Sequence, residues 1–296
     1  MPSTREIRRR IRSVKNTAQI TKAMQMVASS KMRRAQERVQ QSRPYADQLR
    51  ALVSRLARVT GEDVGGEIAL LKQRPVHQIG IVVITPDSGL CGALPSNINR
   101  KAAATAIEEQ RRFAEQGERP TVDYVTVGRK GRDFVLRNQL HLIAEFTNYG
   151  DRPSLQDASA IAQVAVDAFL NGEVDVVYLV YPKFINTVSQ LPITVQMLPV
   201  QPPTEQEGES KTIEYIYEPD ATSIYEALLP RYVNVQVYQA LLETIASFNS
   251  AQMVAMKNAT DNANELIQDL TLTYNKARQA SITTEILEVV SGAQAL

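Results

Sequence analysis

Residues 231–291 contain neither glycine nor proline, and this absence constrains the fold of the chain more than any other feature. As one helix, these 61 residues would extend about 90 Å at roughly 1.5 Å of rise per residue. A compact domain of 296 residues is narrower than that, so most of the helix must pack along a second long helix. Apolar and small residues recur along it at alternating steps of four and three, which is a heptad seam. The predicted seam is Tyr238, Leu242, Ile245, Asn249, Gln252, Met256, Ala259, Ala263, Leu266, Leu270, Thr273 and Ala277.

The second long helix is predicted over residues 3–58, at the opposite end of the chain. No glycine occurs before Gly61, and Ser3 stands three residues before Glu6, which is the spacing of a capping box. Pro44 should kink this helix without ending it, because the seam keeps its phase through the proline. The seam is Ile7, Ile11, Val14, Ala18, Thr21, Gln25, Ala28, Met32, Ala35, Val39, Ser42, Ala46, Leu49, Val53 and Leu56. Two long helices with seams are natural partners, and the pattern leaves parallel and antiparallel pairing open.

The middle of the chain alternates between strand-like and helix-like segments. Short apolar runs rich in β-branched residues predict strands at 79–85, 122–127, 140–146 and 174–181. The segments between them predict helices at 96–115, 129–138 and 154–170. This order is typical of an α/β domain with a small parallel sheet and helices on its faces. Residues 184–200 and 211–217 are also β-like, and the segment between them predicts a turn or loop.

Charge is distributed unevenly over the three predicted domains, an N-terminal coiled-coil helix (1–60), an α/β domain (61–220) and a C-terminal coiled-coil helix (221–296). Residues 3–58 hold 15 Lys and Arg against three acidic residues, a net charge of +12, although the whole chain carries only +1. Such a basic arm could bind nucleic acid. No aromatic residue lies among its Lys and Arg residues before Tyr45. A helix surface that faces solvent or acidic groups is therefore favoured, and no nucleic-acid partner is predicted.

Composition disfavours several other kinds of site. Cys91 is the only cysteine, so no intramolecular disulfide can form. The two histidines, His77 and His141, are far apart in the sequence, and no metal site or other cofactor is predicted. The longest aliphatic run, residues 79–84, is too short to span a bilayer.

The segment TPDSGLCGAL (85–94) joins a predicted strand to a predicted helix. A glycine-rich turn at such a place can hold a phosphate on helix N–H groups. A small Rossmann-like enzyme or nucleotide-binding domain with coiled-coil arms is therefore the alternative hypothesis. Gly89 and Gly92 do not complete a GxGxxG pattern, so a tight structural turn is favoured. Cys91 is better explained as a buried thiol than as a nucleophile, since no histidine lies near it in the sequence.

The last part of the chain is poor in charge. From Ala280 to Leu296 only Glu285 and Glu288 are charged, whereas a helix end that projects into water normally carries more. This end therefore either packs in the chain's own core or is enclosed by other proteins. Enclosure is favoured, because a helix this long should overhang its partner helix.

Five segments resemble the gamma subunits of F-type ATP synthases. The two longest are REIRRRIRSVKNTAQITKAMQMVASSKMRRAQ (5–36) and MVAMKNATDNANELIQDLTLTYNKARQASITTEILEVVSGA (253–293). The shorter ones are GLCGAL (89–94), FINTVSQLP (184–192) and YEPD (217–220). The resemblance covers nearly the whole chain.

The resemblance implies a long antiparallel coiled coil of the terminal helices, held inside a ring of three alpha and three beta subunits, plus a small Rossmann-like α/β domain. It implies that the chain is a non-catalytic central stalk beside the epsilon subunit. In this family, proton flow turns a membrane rotor ring of c subunits, and the stalk turns with this ring. The beta subunits carry out the ATP chemistry. The resemblance also implies a peripheral position at the cytoplasmic face of a bacterial cell membrane. Arg278, Gln279 and Thr283 match family residues that touch inner loops of the ring, and Met24 matches a position that faces the beta-subunit lever.

Tyr217 and Glu218 match foot residues that contact polar loops of the membrane ring in the family. The sequence departs from the family pattern at two places. Gln252 stands where the family usually has arginine before MVAM, which puts an ion pair to beta at that point in doubt. Ser88 stands where the family usually has arginine before GLCG.

Overall fold

A computed structural model describes residues 3–60, 68–201, 217–218 and 220–294 of the chain. In chain order the elements are α1 (Thr4–Thr60), β1 (Gln78–Ile84), α2 (Leu94–Ala114), β2 (Thr121–Val127), α3 (Arg129–Arg137), β3 (His141–Phe146), α4 (Leu155–Leu170), β4 (Val176–Phe184), β5 (Gln190–Leu198) and α5 (Ala221–Gln294). The predicted loop at 201–210, except for Gln201, and all but the last residue of the β-like segment 211–217 lie outside the described residues.

The chain divides into two compact units, and each long helix contributes to both. The helical unit comprises Met1–Ser29 and Gln252–Leu296. The mixed unit comprises Ser30–Ala251 and contains the sheet. The domain division predicted from the sequence rests on helix boundaries and stays a prediction.

The helical unit pairs the start of α1 with the end of α5 in antiparallel fashion. The guanidinium of Arg8 donates a hydrogen bond to the hydroxyl of Tyr274 and lies 5.4 Å from the centre of its ring. Further along α1, the hydroxyl oxygens of Thr21 and Thr260 are 2.7 Å apart. Residue numbers thus fall along one helix as they rise along the other, which agrees with the antiparallel coiled coil that the resemblance implies.

The mixed unit is built on one five-stranded sheet with the order β3-β2-β1-β4-β5. The first four of these strands run parallel, which confirms the predicted parallel arrangement. β5 is antiparallel to β4, so the complete sheet is mixed. The two strands are joined by the short segment 185–189, whereas a parallel pair requires a crossover of a dozen or more residues.

Helices cover both faces of this sheet because β1 is apolar on both sides. Ile79, Ile81 and Val83 pack in a core with residues of α2 and α3. Val82 and Ile84 alternate with them and pack in a second core with α4, the later part of α1 and the first part of α5. The mixed unit therefore has helices on both faces, as a Rossmann-like domain does, but the long helices form part of one layer.

The seam predicted for α1 is confirmed. All of its members are buried or half-buried in the structure, and the helix continues through Pro44 without a break. Ser3 accepts a hydrogen bond on its hydroxyl from the backbone N–H of Glu6, with 3.3 Å between the atoms. In the mixed unit, Ala35 and Val39 of this seam pack against α5.

The seam predicted for α5 is wrong in its phase beyond Met256. Leu266 is 46% exposed and Thr273 is also exposed, whereas Ile267 and Tyr274 are half-buried in their place. In a helix of 3.6 residues per turn, positions three and four residues after a seam member both lie close to the seam, so the periodicity alone does not choose between them. The observed and predicted phases share Met256, Ala263, Leu270 and Ala277.

Candidate functional site

The end of α5 presents an exposed apolar surface in the helical unit. Every residue from 278 to 291 is exposed, although after Arg278 only Glu285 and Glu288 among them are charged. The large apolar side chains here range from 42% exposed at Ile282 to 71% exposed at Val289, and they are Ile282, Ile286, Leu287, Val289 and Val290. Ile286 lies four residues after Ile282, and Val289 and Val290 lie three and four residues after Ile286, so these four lie on one side of the helix. A contiguous exposed apolar stripe is typical of surfaces that bind another protein or a membrane.

Arg278, Gln279 and Thr283 lie at the start of this surface and are exposed. The hydroxyl of Thr283 donates to the backbone carbonyl of Gln279, with 2.9 Å between the oxygens. This bond engages the hydroxyl proton of Thr283 within the helix. Arg278 and Gln279 therefore offer a guanidinium and an amide to whatever surrounds the helix.

Met24 is half-buried on α1 and is not part of this cluster. It follows Thr21, which pairs with Thr260, by one turn. Arg8, which contacts Tyr274, lies about 24 Å away along α1 at roughly 1.5 Å per residue. The structure thus divides the predicted ring contacts between two places on the helical unit, one beside Met24 and one beyond Tyr274.

The predicted foot residues lie just before α5 in the mixed unit. Tyr217 is half-buried and packs against the larger core, while Glu218 is exposed. Asp220 follows them and caps α5, since its two carboxylate oxygens accept from the N–H and the hydroxyl of Ser223 at 2.8 and 2.7 Å. These hydrogen bonds favour the charged carboxylate and lower the pKa of Asp220. The cap fixes the point where the foot segment enters the helix.

The glycine-rich turn after β1 is a structural turn. Cys91 is almost fully buried in it, and this burial raises the pKa of the thiol to about 11. Thr85 ties the turn to α3 and to the loop after β3, because its hydroxyl accepts from the N–H of Gly131 at 2.7 Å and its carbonyl accepts from the hydroxyl of Tyr149 at 2.5 Å. A neutral, buried thiol is a poor nucleophile, so the geometry disfavours catalysis by Cys91.

The crevice where doubly wound sheets bind nucleotides is occupied by the chain itself. Such ligands lie outside the carboxyl ends of the parallel strands, where the strand order reverses. Here α5 crosses that edge, with the hydroxyl of Ser247 donating to the carbonyl of Pro182 in β4 at 3.1 Å. Asp87, Tyr149 and Phe248 are among the residues that line a remaining cavity of about 160 Å³. Ligand pockets usually measure about 300–1,000 Å³, so the geometry disfavours a nucleotide at this place.

Metal sites and membrane-spanning helices are absent from the residues that the structure describes. No three His, Cys, Asp or Glu side chains within them are placed to hold a metal ion. No helix among them is long and apolar enough to cross a membrane.

No functional role of the loop between β3 and α4 was predicted from the sequence. Asp151 in this loop forms an ion pair with Lys31 of α1, with 2.6 Å between Nζ and Oδ2. The sequence TNYGDRP (147–153) has the composition of a turn, and that was its only signal. Its partners on α1 lie more than a hundred residues away in the chain, which local patterns do not report.

Comparison with known proteins gives one consistent result. Residues 3–296 match the family model described as ATP synthase. The ATP synthase gamma chain of Roseiflexus castenholzii is 51% identical over 298 residues, which cover 100% of this chain and 99% of that relative. The ATP synthase gamma chain of Chloroflexus aurantiacus is 50% identical over 297 residues, with 100% and 99% coverage.

Solved structures share the fold. A chain in the central stalk and c-ring structure of the Tetrahymena thermophila mitochondrial ATP synthase is 26% identical with a TM-score of 0.57, covering 81% of this chain and 99% of that one. A chain in the Euglena gracilis mitochondrial ATP synthase, from the OSCP, F1 and c-ring assembly in rotational state 3, has a TM-score of 0.64 and covers 99% and 94%. Its identity is 21%, so this second similarity concerns the fold alone.

Proposed function

The chain belongs to the ATP synthase gamma-chain family, and from this membership we propose that it is the central-stalk rotor subunit of a proton-translocating F-type ATP synthase. In this role it couples rotation of a membrane ring of c subunits to ATP synthesis or hydrolysis at the beta subunits. It is itself non-catalytic. Its partners are the alpha and beta subunits of the catalytic ring, the epsilon subunit and the c ring, at the cytoplasmic face of a bacterial cell membrane.

The observation that carries this proposal is the exposed, nearly uncharged end of α5. Exposure of apolar side chains to water is unfavourable, so a helix end of this kind is expected to pack against another protein surface. A sleeve formed by other subunits supplies that cover. Since fixed ion pairs would add a barrier at each angle, a low-charge surface also suits an end that must rotate inside its sleeve.

The proposed contact residues follow from this arrangement. Arg278, Gln279 and Thr283 lie at the entrance of the sleeve and contact its inner loops, and Met24 faces the beta-subunit lever. Tyr217 and Glu218 contact the polar loops of the membrane ring. Support for the contacts of Tyr217 and Glu218 comes from the cap at Asp220, which holds the adjoining segment at the start of α5.

Affinity purification from the native membrane tests the proposal. A tag inserted between Glu207 and Gly208 leaves both helix ends unmodified, and membranes with the untagged chain serve as the control. We expect alpha, beta, epsilon and c subunits to co-purify with ATPase activity. Recovery of the intact chain without alpha and beta subunits would contradict the proposal.

A further inference from the structure

We propose that the loop between β3 and α4 is the joint that fixes α1 against the sheet of the mixed unit, and that Asp151 is its positioning residue. The inference rests on the proposed function, since it states where load on the shaft passes into the α/β part of the chain. The loop, residues 147–154, is held at one end by α1 and at the other by the turn after β1.

On the side of α1, Asp151 is held at two points. Its carboxylate pairs with Lys31 at 2.6 Å, and its backbone carbonyl accepts from Nη1 of Arg38 at 3.0 Å. Lys31 and Arg38 are seven residues apart and therefore lie on the same side of α1, two turns from each other. A single loop residue thus contacts two successive sites on the long helix, which opposes both sliding and rotation of that helix.

On the side of the sheet, the same loop is fixed by two bonds to the turn after β1. The N–H of Asn148 donates to Oδ2 of Asp87 at 3.0 Å. The half-buried Tyr149 donates from its hydroxyl to the carbonyl of Thr85 at 2.5 Å. Asp87 also accepts from the N–H of Arg129, so its carboxylate joins the ends of three strands. Tyr149 further packs against both the larger core and the cluster formed by α1 and α5.

The pair of Lys31 and Asp151 is suited to resisting load more than to stabilising the fold. Their side chains are 40% and 51% exposed, and exposed ion pairs contribute little to stability. Their position matters because the other contacts of the loop are directional hydrogen bonds to α1 and to the turn after β1. Opening the pair removes one of the two bonds between the loop and α1, so the loop is held more weakly and its remaining bonds, including that of the Asn148 N–H, open more often.

The first test measures amide hydrogen exchange at Asn148 in the purified full-length chain. We expect Asp151→Asn and Lys31→Gln each to raise the exchange rate about three- to five-fold, as loss of an exposed ion pair allows. The double variant should exchange no faster than either single variant, and the charge swap Lys31→Asp with Asp151→Lys should restore protection. Asp133→Asn, a carboxylate paired with Arg132, is the matched control and should leave the rate unchanged. Additive effects of the two single variants would overturn the proposal.

The second test compares proton pumping per ATP hydrolysed in membrane vesicles that contain the assembled complex. The single variants should lose at least half of this ratio and the charge swap should recover it, while ATPase of the detached soluble complex stays within about two-fold. Unchanged pumping in the single variants, with the complex assembled, would overturn the joint. A chain that fails to purify with alpha and beta subunits would instead contradict the proposed function, and the exchange test on the purified chain would still decide whether the loop is tied to α1.

Discussion

The hydroxyl oxygens of Thr21 and Thr260 lie 2.7 Å apart in the helical unit, and both residues are buried. Each hydroxyl also lies within hydrogen-bond distance of a carbonyl of its own helix, at Ala18 for Thr21 and at Met256 for Thr260. If α1 and α5 slid past each other, this pair would be lost and each hydroxyl would face another member of the seam. A polar pair at such a place specifies the register of a coiled coil.

Replacing one member of this pair should weaken the pairing of α1 and α5 more than replacing both members. We expect Thr260→Val to weaken the pairing of the helices by about 0.5–1.5 kcal/mol, the net value of a hydrogen bond. Adding Thr21→Val should recover most of that loss, since two facing valines leave no unpaired hydroxyl. Amide exchange along α1 measures the effect, and Thr271→Val, on an exposed position with the same bond to its own helix, is the control. A double variant that loses as much as the sum of both single variants would show that the pair does not act as a unit.

Gly128 lies where no side chain fits. A Cβ added there would stand 1.9 Å from the carbonyl oxygen of Thr85, and φ is 94°. We expect Gly128→Ala to destabilise the chain by about 3 kcal/mol or more, because the clash is with backbone that anchors the turn after β1. Gly117→Ala is the matched control, with φ of 90° and nothing within 4 Å of the added atom. It should cost only the strain of a left-handed backbone, about 1–2 kcal/mol. Thermal unfolding of the two purified variants measures the difference, and equal melting temperatures would contradict the explanation.

Local patterns in the sequence predicted most of the fold. The run of Ile and Val residues in β1 and the seam of α1 each follow from a short period, and the structure confirms both. The phase of α5 beyond Met256 was missed because two phases share the same strong positions. Tyr274 is placed in the seam by its contact with Arg8, which is 266 residues away.

The candidate site could be predicted only in part for the same reason. The low charge after Ala280 pointed to a covered helix end. The loop at Asp151 has no such signal, since its importance depends on Lys31 and Arg38 meeting it in space. The roles of Met24 and Glu218 depend on other subunits, so no pattern within this chain decides them.

The buried thiol of Cys91 should react very slowly. Burial raises its pKa to about 11 from an ordinary 9.0, so the thiolate is about 100-fold scarcer at pH 8 than in a free cysteine. We expect alkylation by iodoacetamide to be slower by at least that factor, and its rate to keep rising with pH up to about 11 rather than level off near 9. Cys91→Ala provides the blank. Labelling of the folded chain as fast as that of a free thiol would contradict the burial.

Charge reversal at Glu218 tests the proposed foot. If Glu218 contacts basic polar loops of the membrane ring, then Glu218→Lys places like charges together and weakens coupling. Proton pumping should fall several-fold, whereas ATPase of the detached soluble complex should change little. Glu173→Lys, at another exposed position of the mixed unit, is the control. Unchanged pumping per ATP in the Glu218 variant would remove this assignment.

Shortening α5 tests the sleeve. No described side chain from 278 to 291 is buried within the helical unit, so removing residues 285–296 should leave the pairing of α1 and α5 intact. Each direct hydrogen bond to a surrounding loop contributes only about 1 kcal/mol. Torque should therefore be shared by shape along the shaft, with the end of the helix as a guide. A chain that stops after Thr284 should assemble and remain partly active.

Ending the chain after Ala277 should lower the ATPase rate and rotation further, because this truncation also removes Arg278, Gln279 and Thr283. The contact between Arg8 and Tyr274 is kept. Since the same helix pairing survives in both truncated chains, a difference between them reports the contacts with the sleeve and not the folding of the helical unit. ATPase rate and single-molecule rotation of reconstituted complexes measure the series. Complete loss of rotation on removing only 285–296, with assembly intact, would mean that the exposed apolar end transmits the torque itself and does not act as a guide.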